Sequence, residues 1–329
     1  MKKVPICLNI DDPAPVVSVY HDHYPDPARL TADGRPVLEY VPNALLEEFC
    51  RIVQKHGLRG KYSVVPMPGN RGDILHGLEG VAQEQVQQWL ELAKTCVAPG
   101  FAIGPEMLTH HKAVDLATGE ALPLQENHWA AKQNRETLTP YIAKAVSILR
   151  DAGFDVCGVT SPWDFGIEVE EEYAAAISQA VLEVTGKKHA WYFLRSLRGR
   201  PNAKPWVQLS EEDRCVVAIP ATTTDHMWQT INNPDTSDAY VRQVADELIT
   251  EDGAQGEIID VLESGGYPII LTHWQCLVSN GLGTGLRVLE TVAERVNRHL
   301  SDRVAWTDFR QLMEMVVADP TAYPKPDFS

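Results

Sequence analysis

The sequence predicts an α/β fold, a distorted (β/α) barrel of about seven to eight parallel strands. Three observations predict it. Short apolar runs alternate with helical patterns along the whole 329-residue chain, the order that feeds a parallel sheet through helical crossovers. The first apolar run ends in Asp11-Asp12-Pro13, not in the glycine-rich turn that would mark an open dinucleotide-binding sheet. Carboxylates, imidazoles and indoles crowd the C-terminal ends of successive runs, where barrel enzymes place their chemistry.

The elements follow in order. Val4–Ile10 reads as a buried strand. Asn43 can cap a helix whose Leu46, Phe49, Cys50 and Val53 share one face, and Gly57 stops it. Lys61–Val65 is the second strand, 81–96 is helical, and Phe101–Ile103 is a short strand. Thr139-Pro140 opens a helix to Asp151, because proline suits the first helical position. Strands Phe154–Val159, Trp191–Leu197, Cys215–Pro220, Tyr267–Thr272 and Val304–Trp306 follow. Between and after them lie helices from near Glu168, over 239–248, 257–263 and 286–300, and from Asp308. Segments 13–42 and 111–136 carry no hydrophobic core of their own. They read as long loops of a single domain spanning 1–329.

With 45 acidic and 29 basic residues the net charge is −16. A field of that sign repels phosphate backbones and anionic membrane surfaces, which argues against nucleic acid or membrane as a partner. Lys2 and Lys3 could head a signal peptide, but the run behind them contains Pro5 and Asn9 and ends in two acids. A cytoplasmic chain is expected. Six scattered cysteines lack any C-x-x-C spacing, so they are expected to be reduced core thiols.

Asp11-Asp12 is the sharpest feature. Two acids ending a buried strand are costly unless paired or metal-bound. Successive side chains point opposite ways, so one can bind a cation while the other faces a substrate. The alternative is a turn or helix cap. Glu106 and His110 stand four apart; in a helical turn they share a face and can share a metal. His111 and Asp115 are a competing pair at the same spacing. His273, ending the run 267–272, is placed for general acid or base work or is a bonded core histidine. Trp163, Trp228 and Trp274 either stack on a sugar face or fill the barrel rim.

In this order the residues resemble the polysaccharide deacetylase superfamily, carbohydrate esterase family four. Asn9-Ile10-Asp11-Asp12-Pro13 matches its T-F-D-D-G motif at the two acids. Gly100–His111 lies without a gap on its G-H-E-I-G-N-H-S/T-x-x-H segment. Thr160-Ser161-Pro162-Trp163 falls on R-x-P-F/W/Y, and Leu271-Thr272-His273 on L-x-H. The resemblance implies a metal-dependent deacetylase on an irregular barrel. It makes Asp11 the catalytic base and His273 the catalytic acid. Asp12, Glu106 and His110 become the ligands of a divalent ion, with zinc expected. Glu106 then replaces a ligand histidine, and Thr160 stands where the family has the arginine that orients its base. Arg195 is the expected substitute for that arginine. Together with Trp163, Asp164 and Trp274 it makes up the expected substrate-binding set. The expected reaction is hydrolysis of a C–N amide bond in a carbohydrate or small molecule. The alternatives are a catalytically inactive carbohydrate-binding barrel and a hydrolase of cyclic amides, which the same superfamily contains.

Overall fold

The computed structural model describes residues 3–17, 30, 31 and 33–328. Lys2 and the part of the 13–42 loop at 18–29 and 32 lie outside the described residues. The main strands are β1 (Val4–Asp11), β2 (Gly60–Val64), β3 (Phe101–Pro105), β4 (Gly158–Thr160) and β5 (His189–Phe193). They continue with β6 (Trp206–Glu211), β7 (Arg214–Ala218), β8 (Ile269–His273) and β9 (Val304–Trp306).

The expected α/β class holds: the strands run parallel apart from the β6–β7 pair. They form two sheets rather than one continuous ladder. The first has the order β8-β1-β2-β3, with β9 also on β1; the second has the order β6-β7-β5-β4. At one seam an isolated parallel bridge, Glu106 to Thr160, joins the end of β3 to β4. At the other, the Thr222 and Thr223 hydroxyls accept the backbone N–H groups of Ile269 and Leu271. Strand β6 was not expected from the sequence; its inner and outer residues do not alternate cleanly.

Burial drives the assembly. Ile6, Leu8, Ile10, Tyr62, Val64 and Phe101 are fully buried, and removing such side chains from water is the main stabilising contribution. Helix Asn43–His56 buries Leu46, Phe49, Cys50, Ile52 and Val53, and ends at Gly57 with φ 65°. That left-handed stop is one glycine takes without strain. Asn43 itself is not the cap. Pro42 holds that position, and the Asn43 amide donates to Gln85 O and Gln88 Oε1.

Helix Arg135–Asp151 starts earlier than Pro140 implies, because Asn134 and Thr137 form a reciprocal capping box upstream. Pro140 lies inside the helix. The 111–136 segment is also more ordered than a loop, with a hairpin (Lys112–Val114, Ala121–Gln125) and a short helix, Glu126–Ala130. The cysteine expectation needs correction too. Cys50 and Cys96 form a disulfide with Cα atoms 5.8 Å apart, while Cys7, Cys157, Cys215 and Cys276 are free. The two partners are 46 residues apart in sequence, so only the packing of their helices reveals the pair. Among the described residues no helix is long and apolar enough to cross a membrane.

Candidate active site

The strand ends converge on a cavity of about 300 Å³. Asp11 closes β1 and is the register partner of His273, which closes β8. Asp12 follows immediately with φ 69°. Glu106 follows β3, and Gly104 is what lets β3 reach β4 at that point. A Cβ at 104 would lie 2.5 Å from Gly158 O and 2.6 Å from the Trp191 ring. Left-handed backbone also recurs at Met107, His110, Trp163 and Asp164. Non-glycine residues take that conformation only where the surroundings enforce it, and they cluster at functional sites.

Asp12, Glu106 and His110 come together in a buried group, with one donor atom of each within 4.8 Å of the others. They do so without a helix. Glu106 forms an isolated bridge just past β3 and His110 sits in a bend, so the spacing of four works through a left-handed turn and not through a shared helical face. Glu126 enforces that turn. Its buried carboxylate accepts the backbone N–H groups of Leu108 (3.1 Å), Thr109 (2.9 Å) and His110 (2.7 Å), and the Tyr141 hydroxyl at 2.6 Å. The competing pair is not assembled: His111 Nδ1 bonds Asn70 Oδ1, and Asp115 caps a turn at Ala117 and Thr118.

The donor set fits a divalent cation. Asp12 Oδ2 accepts from Gln275 Nε2 at 2.7 Å and Glu106 Oε2 accepts the Asp12 backbone N–H at 2.9 Å, which fixes both carboxylates. Asp12 Oδ1 lies 3.1 Å from His110 Nε2 and is buried without a hydrogen bond. Burial, together with the charges of Asp11 and Asp12, pushes the Glu106 carboxyl well above the usual range. Burial opposes charge on Asp12 as well, but the neighbouring His110 holds its carboxyl below the usual range. Buried acids crowded in this way are relieved by a cation. Two carboxylates and an imidazole suit zinc, manganese, iron or cobalt.

The proton-transfer candidates stand side by side in the same cavity. His273 Nε2 is 4.0 Å from Asp11 Oδ2, and His273 Nδ1 is 2.7 Å from Asp225 Oδ2. Burial works against a charged His273, but the Asp225 hydrogen bond and the charges of Asp12, Asp225 and Asp11 outweigh it and push the pKa up to about 9. Trp163 and Asp164 line the cavity, with the Trp163 ring edge-on to His110 at 4.3 Å. Trp228 forms another wall against His273.

Two expected substrate contacts are elsewhere. Trp274 is 1% exposed and packs on Phe49 and Tyr62 in the core; it starts the helix after β8 and turns inward. Arg195 bonds Glu170 at 2.5 Å and covers the Phe328 ring, outside the cavity. It therefore does not take the place of the arginine missing at Thr160. The cation beside Asp11 is Lys61 of β2, which was not singled out from the sequence although a lysine inside a buried strand is itself a signal. Asp225, Gln275 and Glu126 were not assigned roles either. Their partners are 48, 263 and 15 to 18 residues away.

No known family profile matches the sequence, and no curated protein does. Solved structures do match. A protein described as a candidate polysaccharide deacetylase from Mycobacterium smegmatis superposes with a TM-score of 0.52 at 15% identity, over 88% of this chain and 81% of that one. The chain shares the fold of that protein. Weaker likenesses include a glycoside hydrolase/deacetylase-type protein from Parabacteroides distasonis (TM-score 0.45, 11% identity, 95% of this chain and 71% of that one). Another is the Xyl-CE4 domain of a multidomain xylanase from the hindgut metagenome of Trinervitermes trinervoides (TM-score 0.41, 11% identity, 98% and 96%). At such scores these two add nothing to the fold assignment, and none of the likenesses identifies a substrate.

Proposed function

We propose that this protein is a divergent member of the polysaccharide deacetylase superfamily. It would be a metal-dependent hydrolase of a C–N amide bond in a carbohydrate or small molecule. The observation that carries this reading is that Asp11 and His273, side by side, line the same cavity as the Asp12–Glu106–His110 group. A divalent cation held by those three residues, zinc by preference, would supply Lewis-acid activation of water and of the scissile carbonyl.

The chain's own residues account for the proton transfers. Asp11 accepts the proton of the attacking water through Oδ2, the oxygen facing His273. His273, held as an imidazolium by Asp225, gives its Nε2 proton to the departing nitrogen as the C–N bond breaks. Water and amide thus leave as carboxylic acid and amine, and Asp11 returns its proton to restore His273. The walls formed by Trp163 and Trp228 offer apolar faces to a sugar ring or small heterocycle, and Asp164 offers a hydrogen-bond acceptor beside them. A volume of about 300 Å³ favours one ring at a time over several.

The test is a panel of N-acetylated sugars and cyclic amides assayed with zinc-loaded and chelator-treated protein, alongside elemental analysis. Turnover of an amide that disappears on chelation and returns with zinc supports the reading. Stoichiometric zinc with sugar binding but no turnover of any amide points instead to an inactive carbohydrate-binding barrel. Absence of zinc affinity removes the metal site altogether.

A further inference from the structure

Lys61 is a buried cation that the proton transfers described above do not use. It is 0% exposed, and its ammonium group meets a carboxylate, a hydroxyl and an aromatic ring. It is paired with Asp11 Oδ1, donates to Thr160 Oγ1 at 2.8 Å and lies 4.6 Å from the centre of the Phe193 ring. Thr160 is held in turn by Ser63, hydroxyl to hydroxyl at 2.6 Å. Register places Lys61 opposite Asn9, two residues before Asp11 on β1, so its side chain has only to lean along the strand to reach the carboxylate.

We infer that Lys61 is a positioning residue for the hydrolytic reaction, acting through Asp11; the inference rests on the hydrolase reading above. By binding Oδ1 it fixes the carboxylate and leaves Oδ2 directed toward His273, so one oxygen is anchored and the other faces the cavity. Thr160 makes this possible. Its short side chain leaves space above β4 for a lysine arriving from β2, and its hydroxyl orients the ammonium. The charge that an arginine at position 160 would bring from β4 is delivered here from a neighbouring strand. Stability alone is a poor explanation for such a pair, because a buried ion pair is often no more stable than apolar residues of the same volume.

The experiment compares Lys61→Met, Asp11→Asn and the double variant in the zinc-loaded, full-length protein, on an amide substrate found as above. A residue that only orients Asp11 has nothing to act on once Asp11 is replaced. Lys61→Met is expected to lose ~10²-fold in kcat with KM and zinc content unchanged, and the double variant to turn over at the rate of Asp11→Asn. Lys61→Met within threefold of the parent overturns the proposal, as does a double variant distinctly slower than Asp11→Asn. Should Lys61→Met fail to fold because it leaves a buried carboxylate unpaired, the double variant removes both charges, and its comparison with Asp11→Asn still decides. A parent that binds zinc and hydrolyses no amide overturns the hydrolase reading and the positioning role together. Chemical denaturation of the same four proteins would still register the ion pair, so the two failures read differently.

Discussion

Asp11 and His273 are register partners at the C-terminal ends of adjacent parallel strands, with the His273 Nε2 atom 4.0 Å from Asp11 Oδ2. Backbone pairing, not a flexible loop, sets the separation of the two proposed proton-transfer groups. Neither is a ligand in the Asp12–Glu106–His110 group. Asp11→Asn and His273→Ala are therefore each expected to lower kcat by about 10²–10⁴-fold while zinc stays stoichiometric. Steady-state kinetics with elemental analysis checks both; parental turnover in either variant removes that residue from the mechanism.

The acid should remain charged through neutral pH. With its pKa at about 9, His273 is protonated below that value, and activity that needs the imidazolium falls as pH rises through it. Asp225→Asn removes a hydrogen-bonded carboxylate that raises the pKa. The alkaline limb of the kcat profile is expected to move to lower pH in that variant. An unmoved limb would assign it to another group.

Metal binding should be linked to protons. Burial and the neighbouring acids push the Glu106 carboxyl up; burial opposes the His110 charge, but Asp12 beside it raises that pKa as well. Both groups must deprotonate to bind a cation, so zinc affinity should weaken as pH falls. Titration calorimetry in buffers of different ionisation enthalpy reads the protons released. Glu106→Gln and His110→Ala should each abolish stoichiometric zinc without unfolding the chain.

The tryptophans divide by location. Trp274 is enclosed by Phe49 and Tyr62, and Trp274→Ala is expected to cost ~3–5 kcal/mol of stability. Trp228 is 43% exposed at the cavity wall. Trp228→Ala should leave stability within ~0.5 kcal/mol and raise KM. Denaturation midpoints and substrate titrations separate the two outcomes.

The Cys50–Cys96 bond closes a 46-residue separation, and in the chain-entropy account a loop of that length contributes ~4 kcal/mol. Denatured protein is expected to show four reactive thiols before reduction and six after it. Reduction should lower the denaturation midpoint. Six thiols in the unreduced protein would show that the pair does not form.

By itself the sequence determined the class of the fold and the acids at its heart. Short apolar runs ending in Asp11-Asp12 and His273 specify strands whose C-terminal ends meet at one cavity, because strand burial and side-chain alternation are local properties read along the chain. The same holds for Glu106 and His110 as a pair, although they meet through a left-handed turn held by Glu126 and not through a helix. Tertiary structure decided what surrounds them. Lys61 lies 50 residues from Asp11 and Asp225 lies 48 from His273, separations that carry no periodic signal. Trp274 follows a catalytic candidate directly, yet packs into the core because the chain turns into a helix there. Which charge meets which carboxylate depends on how neighbouring strands pair, and that pairing is settled only when the sheets assemble.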